Sequence, residues 1–146
     1  MLRTRGHTPS AEAAAIAVGR VTEHAALWHA LALAGAVLHP SGRRRYLRTM
    51  RAVAVAQFVT SSIKLTLPRD RPVFEDLPPL MPTVSELSYP SAHASTSFAA
   101  ARGLGGGPVY ALALVVALSR PFLGLHYPSD TLAGAALGHA LARLTP

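Results

Sequence analysis

Apolar runs alternate with short polar breaks along most of this 146-residue chain. Within the runs no strict alternation of apolar and polar positions occurs, so the pattern predicts no strand, and no internal repeat is evident. Prolines and glycines mark the ends: Pro40 and Gly42 follow the second run, and Pro108 opens the fifth, where its missing N–H is harmless. The pattern predicts an all-α bundle of about five to six helices. Their expected spans are about Ser10–Val21, Glu23–His39, Leu47–Leu67, Ser91–Leu104, Pro108–Leu118 and Ser129–Leu144.

The apolar content is high for a water-soluble domain, since half of the residues are hydrophobic and only 14% are charged. Small residues such as Gly134 and Gly138 suit helices that pack closely in lipid. Several runs are shorter than the ~20 residues that span a bilayer squarely, so a soluble all-helical domain is the alternative. We favour one integral-membrane domain over residues 1–146, whose segment 10–21 either crosses the membrane or lies in its interface. No long apolar run with a cleavage site follows the basic N terminus, so we expect no signal peptide.

The charge is strongly basic, with 14 lysines and arginines against seven acidic residues and a net charge of +7. Such a balance fits nucleic acid, anionic lipid or a phosphate-bearing substrate. Five arginines cluster in "RRRYLRTMR", from Arg43 to Arg51, between flanks of alanine, leucine and valine. Nucleic-acid-binding surfaces instead interleave such charge with aromatic or polar side chains on a soluble fold. We therefore interpret the cluster as a cytoplasmic membrane-flanking loop and expect no nucleic-acid partner.

The segment 72–90 differs from the rest because it is dense in proline and carries Glu75, Asp76 and Glu86. We expect a non-helical loop of the kind that often covers a functional site as a lid. The motif-bearing core around it spans about 47–144. No spacing of histidine, aspartate and glutamate supports a metal site, and the lack of cysteine excludes disulfides and thiolate ligands. We therefore expect neither a metal nor another cofactor.

Polar residues of catalytic type occur at three places, each at the end of a predicted helix. If the arginine cluster lies in the cytoplasm, the alternating directions of the helices bring all three places to the opposite, extracytoplasmic face. Polar residues scattered at random over a surface have no reason to converge in this way. The residues gathered there are Lys64, Arg71, Ser91, His93, Arg120, His126 and Asp130.

These side chains suit a phosphoryl group, whose oxygens need fixed positive charge and hydrogen-bond donors. Ser91 is predicted to cap the fourth helix, so that free backbone N–H groups there can hold an anion. Asp130 follows His126 by four residues, close enough in a helix-like turn to accept the Nδ1–H. That contact leaves Nε2 of His126 free to attack. The residues therefore predict a phosphate site with two histidines as bases or nucleophiles.

The same three places resemble the signature of the type 2 phosphatidic-acid phosphatase and vanadium haloperoxidase superfamily, which reads K-x6-RP, PSGH and SR-x5-H-x3-D. Lys64, Arg71 and Pro72 match the first part with its spacing. "PSAH" matches the second with Ala92 in place of glycine, a mild change at the first position of a helix. "SRPFLGLHYPSD" matches the third in full. Three motifs in order over Lys64–Asp130 make coincidence negligible, while the N-terminal third of the chain matches no motif.

The resemblance implies a helical bundle and a metal-independent phosphatase. It implies that His126 is the nucleophile that forms a phosphohistidine and that Asp130 orients it. By the same resemblance, His93 protonates the leaving oxygen and then activates water. The resemblance also implies that four residues hold the phosphoryl oxygens, and these are Lys64, Arg71, Ser91 and Arg120.

A phosphate site at the end of an apolar bundle suits a lipid phosphate, whose tail lies in the membrane and whose head lies in water. By resemblance to small bacterial enzymes we expect a polyprenyl-linked substrate, either a diphosphate or a polyprenyl-phosphoryl sugar phosphate. Phosphatidic acid or phosphatidylglycerol phosphate is the alternative. A vanadate-dependent haloperoxidase is a different class, although its members are usually much larger and soluble. A non-catalytic membrane scaffold or lipid carrier is a third, against which the intact His93, His126 and Asp130 argue. The oligomeric state is not predicted.

Other polar and aromatic residues match no motif. We expect Arg69 and Asp70, at variable positions of the first motif, to form a local ion pair. Trp28 and Tyr46 are interpreted as interfacial anchors without a chemical role. Packing or interfacial positions are expected for four histidines, which are His24, His29, His39 and His139.

Overall fold

The computed structural model describes residues 6–74 and 77–146, and six helices account for most of them. The helices are α1 (Pro9–Val21), α2 (Ala26–Leu38), α3 (Arg43–Thr66), α4 (Ala92–Leu104), α5 (Gly107–Phe122) and α6 (Pro128–Leu144). No strand occurs within the described ranges, although one isolated β-bridge joins Asp70 to Leu87. The expected all-α bundle is therefore confirmed. Glu75 and Asp76 lie outside the described residues.

The helix ends follow local signals in the sequence. The Ser91 hydroxyl accepts a hydrogen bond from the Ala94 N–H at 3.4 Å and caps α4, as predicted. Gly105 ends the same helix with a φ of 69°, a left-handed value that glycine adopts without strain. Pro108 and Pro128 lie in the first turns of α5 and α6, where a missing N–H leaves no hydrogen bond unmade.

Helix α4 lies at the centre of the bundle and contacts α3, α5 and α6. Its alanine, serine and threonine side chains are nearly all buried, so neighbouring helices come close to its backbone. Gly134 and Gly138 of α6 face the carbonyl oxygens of Ser91 and Ser95 so closely that a Cβ at either glycine would overlap them. The Ser91 N–H also donates to the Asp130 carbonyl at 3.0 Å. This packing fixes the start of α4 against the start of α6.

The arginine cluster is helical, and its interpretation as a loop is wrong. Helix α3 begins at Arg43, before the predicted start, and includes the whole cluster. Arg45 donates from Nε to the Gly103 carbonyl at 2.9 Å, and Arg48 donates from Nε to the Thr145 carbonyl at 2.7 Å. Both carbonyls lie at the C-terminal ends of helices, where acceptors lack helical partners and cations are favoured. These arginines therefore tie the ends of α4 and α6 to the start of α3.

Trp28 is a core residue, and its interpretation as an interfacial anchor is wrong. Its side chain is 0% exposed, and Nε1 donates to the Ser97 Oγ of α4 at 3.0 Å. The indole packs among small side chains of α3 and α4, including Ala52 and Ala56, which leave room for a large ring. A buried tryptophan of this kind contributes apolar area while its N–H keeps a partner. Tyr46 is half-buried against Gly35 of α2.

Among the described helices, none taken singly is both long and apolar enough to cross a bilayer. Helix α1 and the stretch Glu23–Leu38 pass that test of length and composition only as a pair, and the pair is bent by 49°.

Candidate active site

One end of the bundle holds a cavity of about 180 Å³. The end of α3, the start of α4 and the end of α5 meet there, and the turn into α6 closes the same wall. Five of the seven predicted site residues line this cavity, and they are Lys64, Arg71, His93, Arg120 and His126. Ser91 and Asp130 are fully buried beside it, at the starts of α4 and α6. The predicted convergence of the three polar places is therefore present in the fold.

Backbone carbonyls of the loop between α3 and α4 hold two of the cations in place. Lys64 donates from Nζ to the Leu87 carbonyl at 2.8 Å, and Arg71 donates from Nε to the Ser85 carbonyl at 2.8 Å. Arg71 also donates from Nη1 to the Leu125 carbonyl at 2.6 Å. Burial lowers the pKa of Arg71, and nearby carboxylates oppose that effect. Like charges gathered at a half-buried cavity favour the binding of an anion.

Arg120 is the most buried of the cations, with 1% of its surface exposed. Its Nε and Nη2 donate to the Ser119 Oγ at 3.1 and 3.0 Å, which fixes the guanidinium at the end of α5. Gly19 of α1 comes so close that a Cβ there would lie 2.7 Å from Nη2. The Glu23 carboxylate, just after α1, interacts electrostatically with the same guanidinium. The N-terminal third therefore borders the site although no motif covers it.

The tautomer of His126 follows from its neighbours. Its side chain is 5% exposed, and Nε2 lies 3.3 Å from Nη1 of Arg71. A guanidinium only donates hydrogen bonds, so Nε2 accepts and the ring proton of the neutral form is assigned to Nδ1. Burial lowers the pKa of His126 to about 4, and the charges of Arg71 and Lys64 act in the same direction against Asp130. The imidazole is therefore neutral at pH 7, with a lone pair on Nε2 at the cavity.

A serine that the sequence motifs do not include lies between His126 and Asp130. Nδ1 of His126 is 3.7 Å from Oδ2 of Asp130, longer than a strong hydrogen bond. The Ser88 Oγ lies 3.3 Å from that Nδ1 and donates a short hydrogen bond to Oδ2 of Asp130. The Ser88 hydroxyl can thus accept from Nδ1–H while it donates to the carboxylate. Ser88 is 0% exposed, so no bulk water competes for these contacts.

Asp130 also has a cationic neighbour, for which the sequence predicts a different partner. Arg69 donates from Nη1 to Oδ1 of Asp130 at 2.8 Å, and its guanidinium stacks 4.0 Å from the centre of the Tyr127 ring. The predicted local ion pair of Arg69 with Asp70 is therefore wrong. The physical reason is burial, because Asp130 is removed from water and needs a counter-charge, whereas Asp70 is exposed and solvated. The Tyr127 N–H donates to Oδ2 at 3.0 Å.

His93 differs from His126 in that its Nε2 has no partner among the described residues, although the residue interacts with the Gly19 backbone. It lies in the first turn of α4, and its buried Nε2 makes no hydrogen bond within the described part of the chain. Buried polar atoms in native proteins nearly always have partners, so an orphaned nitrogen on a cavity wall is available to a ligand. This atom is suited to exchange a proton with a group bound in the cavity.

The remaining histidines divide into two groups. His39 stacks against Tyr46, and Nδ1 of His139 lies 3.4 Å from the Tyr110 hydroxyl, away from the cavity. His24, which was expected to serve only packing, lies on the cavity wall. Across residues 6–74 and 77–146, no cluster of three or more histidine, aspartate or glutamate side chains could hold a metal ion.

A cation-lined cavity with one neutral, oriented histidine and one histidine whose Nε2 is unpartnered suits phosphoryl transfer. No family model matches the chain. It is 40% identical over 130 residues to the decaprenylphosphoryl-5-phosphoribose phosphatase of Mycolicibacterium smegmatis, with 86% of this chain and 72% of that protein covered. Its Mycobacterium tuberculosis counterpart is 39% identical over 134 residues, with 89% and 76% covered. The Escherichia coli protein YbjG, named as an undecaprenyl-diphosphatase, is 34% identical over 95 residues, with 60% and 48% covered.

Among solved structures, LpxE of Aquifex aeolicus superimposes with a TM-score of 0.85, over 99% of this chain and 89% of that one. The two are 19% identical, so this likeness concerns the fold. With relatives of this identity and coverage, the chain belongs to the type 2 phosphatidic-acid phosphatase superfamily. It is a metal-independent phosphatase of that kind.

Proposed function

We propose that the chain hydrolyses the phosphomonoester or diphosphate of a polyprenyl-linked lipid through a phosphohistidine at His126. The observation that carries this proposal is the position of the neutral Nε2 of His126 on a cavity shared with Lys64, Arg71 and Arg120. The lipid class is supported by the relatives, which are named for a decaprenyl-linked phosphoribose and for undecaprenyl diphosphate. Phosphatidic acid and phosphatidylglycerol phosphate are the alternative substrates.

In the first step, Nε2 of His126 attacks phosphorus, and the bond from phosphorus to the leaving oxygen breaks. Lys64, Arg71 and Arg120 balance the charge on the phosphoryl oxygens, together with free N–H groups at the start of α4 beside Ser91. The protonated form of His93 gives a proton to the leaving oxygen and becomes neutral. The ring of His126 becomes positive as the N–P bond forms, and Asp130 offsets that charge through the Ser88 hydroxyl.

In the second step, His93 takes a proton from water, and the water oxygen forms a bond to phosphorus. The N–P bond breaks, which returns the neutral imidazole and releases inorganic phosphate. Three hydrogen-bond donors, Arg69, Ser88 and the Tyr127 N–H, keep the Asp130 carboxylate ionised and fixed during both steps. The cycle needs no group beyond these side chains and water.

We also propose a multi-pass membrane location with the cavity on the extracytoplasmic side. Helix α3 has 24 residues and so measures about 36 Å, with the arginine cluster at its start and Lys64 in its last turn. The first arginine of the cluster, Arg43, and Lys64 lie about 32 Å apart along the helix axis, close to the thickness of a bilayer core, whereas Arg51 lies about 20 Å from Lys64. This separation supports a positive-inside orientation. Large apolar side chains on outward faces favour lipid as their surroundings, among them Val37, Phe58, Leu65, Leu132 and Leu144.

Phosphate release by the detergent-purified protein tests the reaction. The panel contains a polyprenyl diphosphate, a polyprenyl-phosphoryl phosphoribose, phosphatidic acid and a soluble phosphate ester. We expect the polyprenyl substrates to be preferred, His126→Ala to lower turnover about 10⁴-fold or more, and EDTA to have no effect. His139→Ala, a histidine away from the cavity, is the matched control and keeps its activity. Full activity in His126→Ala overturns the nucleophile assignment.

Single cysteines test the orientation, because the chain contains none of its own. Pro79 and Gly106 are both exposed and lie in the loops at the two ends of the bundle. We expect an impermeant thiol reagent to label Pro79→Cys in intact cells and to label Gly106→Cys only after lysis. Labelling of both positions from the same side contradicts the proposed topology.

A further inference from the structure

The cavity extends beyond the phosphate-binding cations to a sharp bend between α1 and α2. We call this bend, Thr22–Ala25, the elbow. His24 has φ 50° and ψ 26°, and Ala25 has φ 59° and ψ 19°. Left-handed values are strained for a residue with a Cβ, and such strain concentrates at functional sites. The bend places Glu23 and His24 on the wall of the cavity that the end of α3 also lines.

A polar stripe on α3 forms another part of the wall. Gln57, Ser61 and Lys64 follow a spacing of four and three residues, which puts them on one face of a helix, and all three line the cavity. Gln57 lies two turns, about 10 Å, before Lys64 along the helix axis. Thr96 adds a hydroxyl from α4. Apart from Lys64, none of these groups belongs to the three phosphatase motifs.

Glu23 is the group that does not suit either end of a simple prenyl phosphate, because a carboxylate repels phosphoryl oxygens and gains nothing from an apolar tail. It does match hydroxyl groups, which donate to a carboxylate. Hydroxyl groups can also exchange hydrogen bonds with Gln57 and donate to the Thr96 oxygen. The cavity, at about 180 Å³, is also smaller than the roughly 300–1,000 Å³ that encloses a whole drug-sized ligand. It holds a compact head group and leaves the tail outside.

We propose that the elbow and the polar stripe of α3 form a subsite for a polyhydroxylated group, such as a sugar, joined to the phosphate that is removed. Glu23 is the specificity-determining residue, because its carboxylate accepts hydrogen bonds from the hydroxyl groups. This inference rests on the proposed function and narrows it to sugar phosphates over plain prenyl diphosphates. Glu23 also acts on Arg120, and a role confined to that cation predicts equal effects on every substrate.

The test compares Glu23→Gln and Glu23→Ala with the wild type on farnesyl diphosphate, which has no hydroxyl group, and on polyprenyl-phosphoryl phosphoribose. We expect kcat/KM for the phosphoribose to fall about 10- to 100-fold and that for the diphosphate to change less than about threefold. Glu12→Gln is the matched control, since Glu12 pairs with His7 at 2.9 Å and does not line the cavity. Equal losses on both substrates, or no loss on either, overturn the inference.

A second measurement uses soluble probes and does not depend on lipid turnover by the variants. Ribose 5-phosphate and 2-deoxyribose 5-phosphate compete for binding to His126→Ala protein, observed by calorimetry. We expect ribose 5-phosphate, which has the additional hydroxyl, to bind about 5- to 10-fold tighter than 2-deoxyribose 5-phosphate. We expect Glu23→Ala in the His126→Ala background to remove that difference. Equal affinities before the Glu23 change contradict the subsite. A wild type that releases phosphate from neither lipid overturns the proposed function instead, so the two failures are distinguishable.

Discussion

Two parts of the molecule border the same cavity and depend on the sequence in different ways. The first runs from the end of α3 to the start of α6 and carries the three motifs between Lys64 and Asp130. The second is the elbow, Thr22–Ala25, which lies in the part of the chain that no motif covers. Among the described residues, the first part supplies the cations Lys64, Arg71 and Arg120 of the cavity and the two histidines assigned to phosphoryl transfer, His93 and His126. The second supplies a carboxylate and two strained backbone positions.

The motif-bearing part carries out phosphoryl transfer, whereas the elbow is assigned to the choice of substrate. Phosphoryl transfer requires charges and a lone pair at fixed positions, and helix ends set those positions through short, regular spacings. A head-group subsite requires only a surface of suitable polarity, which many sequences can build. We therefore expect changes in the motif-bearing part to slow every substrate alike and changes at the elbow to alter the stability or the choice of substrate.

The largest expected effect lies in the motif-bearing part. Asp130→Asn removes the negative charge that offsets the His126 ring during attack and breaks the ion pair with Arg69. We expect kcat to fall about 10²- to 10⁴-fold on every phosphate substrate of the panel. Asp70→Asn is the control, because Asp70 is exposed and outside the network. A loss confined to one substrate contradicts the division between the two parts.

The second effect is the dependence of stability on pH. Because burial holds the pKa of His126 near 4, the unfolded chain takes up a proton below pH 6.5 while the folded chain does not. The stabilisation is complete above pH 6.5 and is lost as the pH falls towards 4, by about 3 kcal/mol. Denaturant titrations near pH 7.5 and pH 4.5 measure this loss. We expect this loss of stability to be smaller in His126→Gln and unchanged in His24→Gln, because His24 is exposed. An unchanged loss in His126→Gln shows that another group is responsible.

Much of the fold and of the site is predictable from the sequence because its signals are local. Proline at a helix start, Ser91 as a cap and glycine after a helix depend on a few neighbouring residues. The motif spacings likewise place Lys64 and His93 in the end turns of helices and Arg71 and His126 in the loops beside them. The structure agrees with these local predictions because each depends on geometry within one or two turns. The meeting of the helix ends follows instead from the alternating directions of the helices.

The parts that were not predicted depend on contacts between distant segments. Ser88 meets His126 and Asp130 across 38 and 42 residues, and nothing in its local sequence indicates those partners. Arg69 pairs with the buried Asp130 and not with the exposed Asp70 beside it in sequence, because a buried carboxylate needs a counter-charge. Trp28 is buried because small residues of α4 leave room for it, which the composition of α2 alone does not show.

The third prediction concerns that unpredicted serine. Ser88→Ala removes the hydroxyl between Nδ1 of His126 and the Asp130 carboxylate. We expect kcat to fall about 10-fold on all substrates with KM unchanged, because the hydroxyl acts on the orientation and charge of the nucleophile and not on binding. Ser62→Ala, on an exposed face of α3, is the control. A rise in KM at constant kcat assigns Ser88 to substrate binding and contradicts this role.

The smallest effect tests the strain of the elbow. His24 is exposed at a left-handed φ of 50°, so His24→Gly relieves about 1–2 kcal/mol of backbone strain. A smaller cost opposes this gain, because glycine has more conformational entropy than histidine in the unfolded chain. We expect the free energy of unfolding to rise by about 0.5–1 kcal/mol, a shift in Tm of about 2–4 °C. His29→Gly makes the same substitution inside α2, where glycine is unfavourable, and should lower stability by about 1 kcal/mol. If His24→Gly raises the free energy of unfolding and His29→Gly lowers it, the gain at position 24 comes from its backbone conformation. If both substitutions change the free energy of unfolding in the same direction, the elbow is not strained. The role of its polar side chains is then decided by the substrate comparisons with the Glu23 variants.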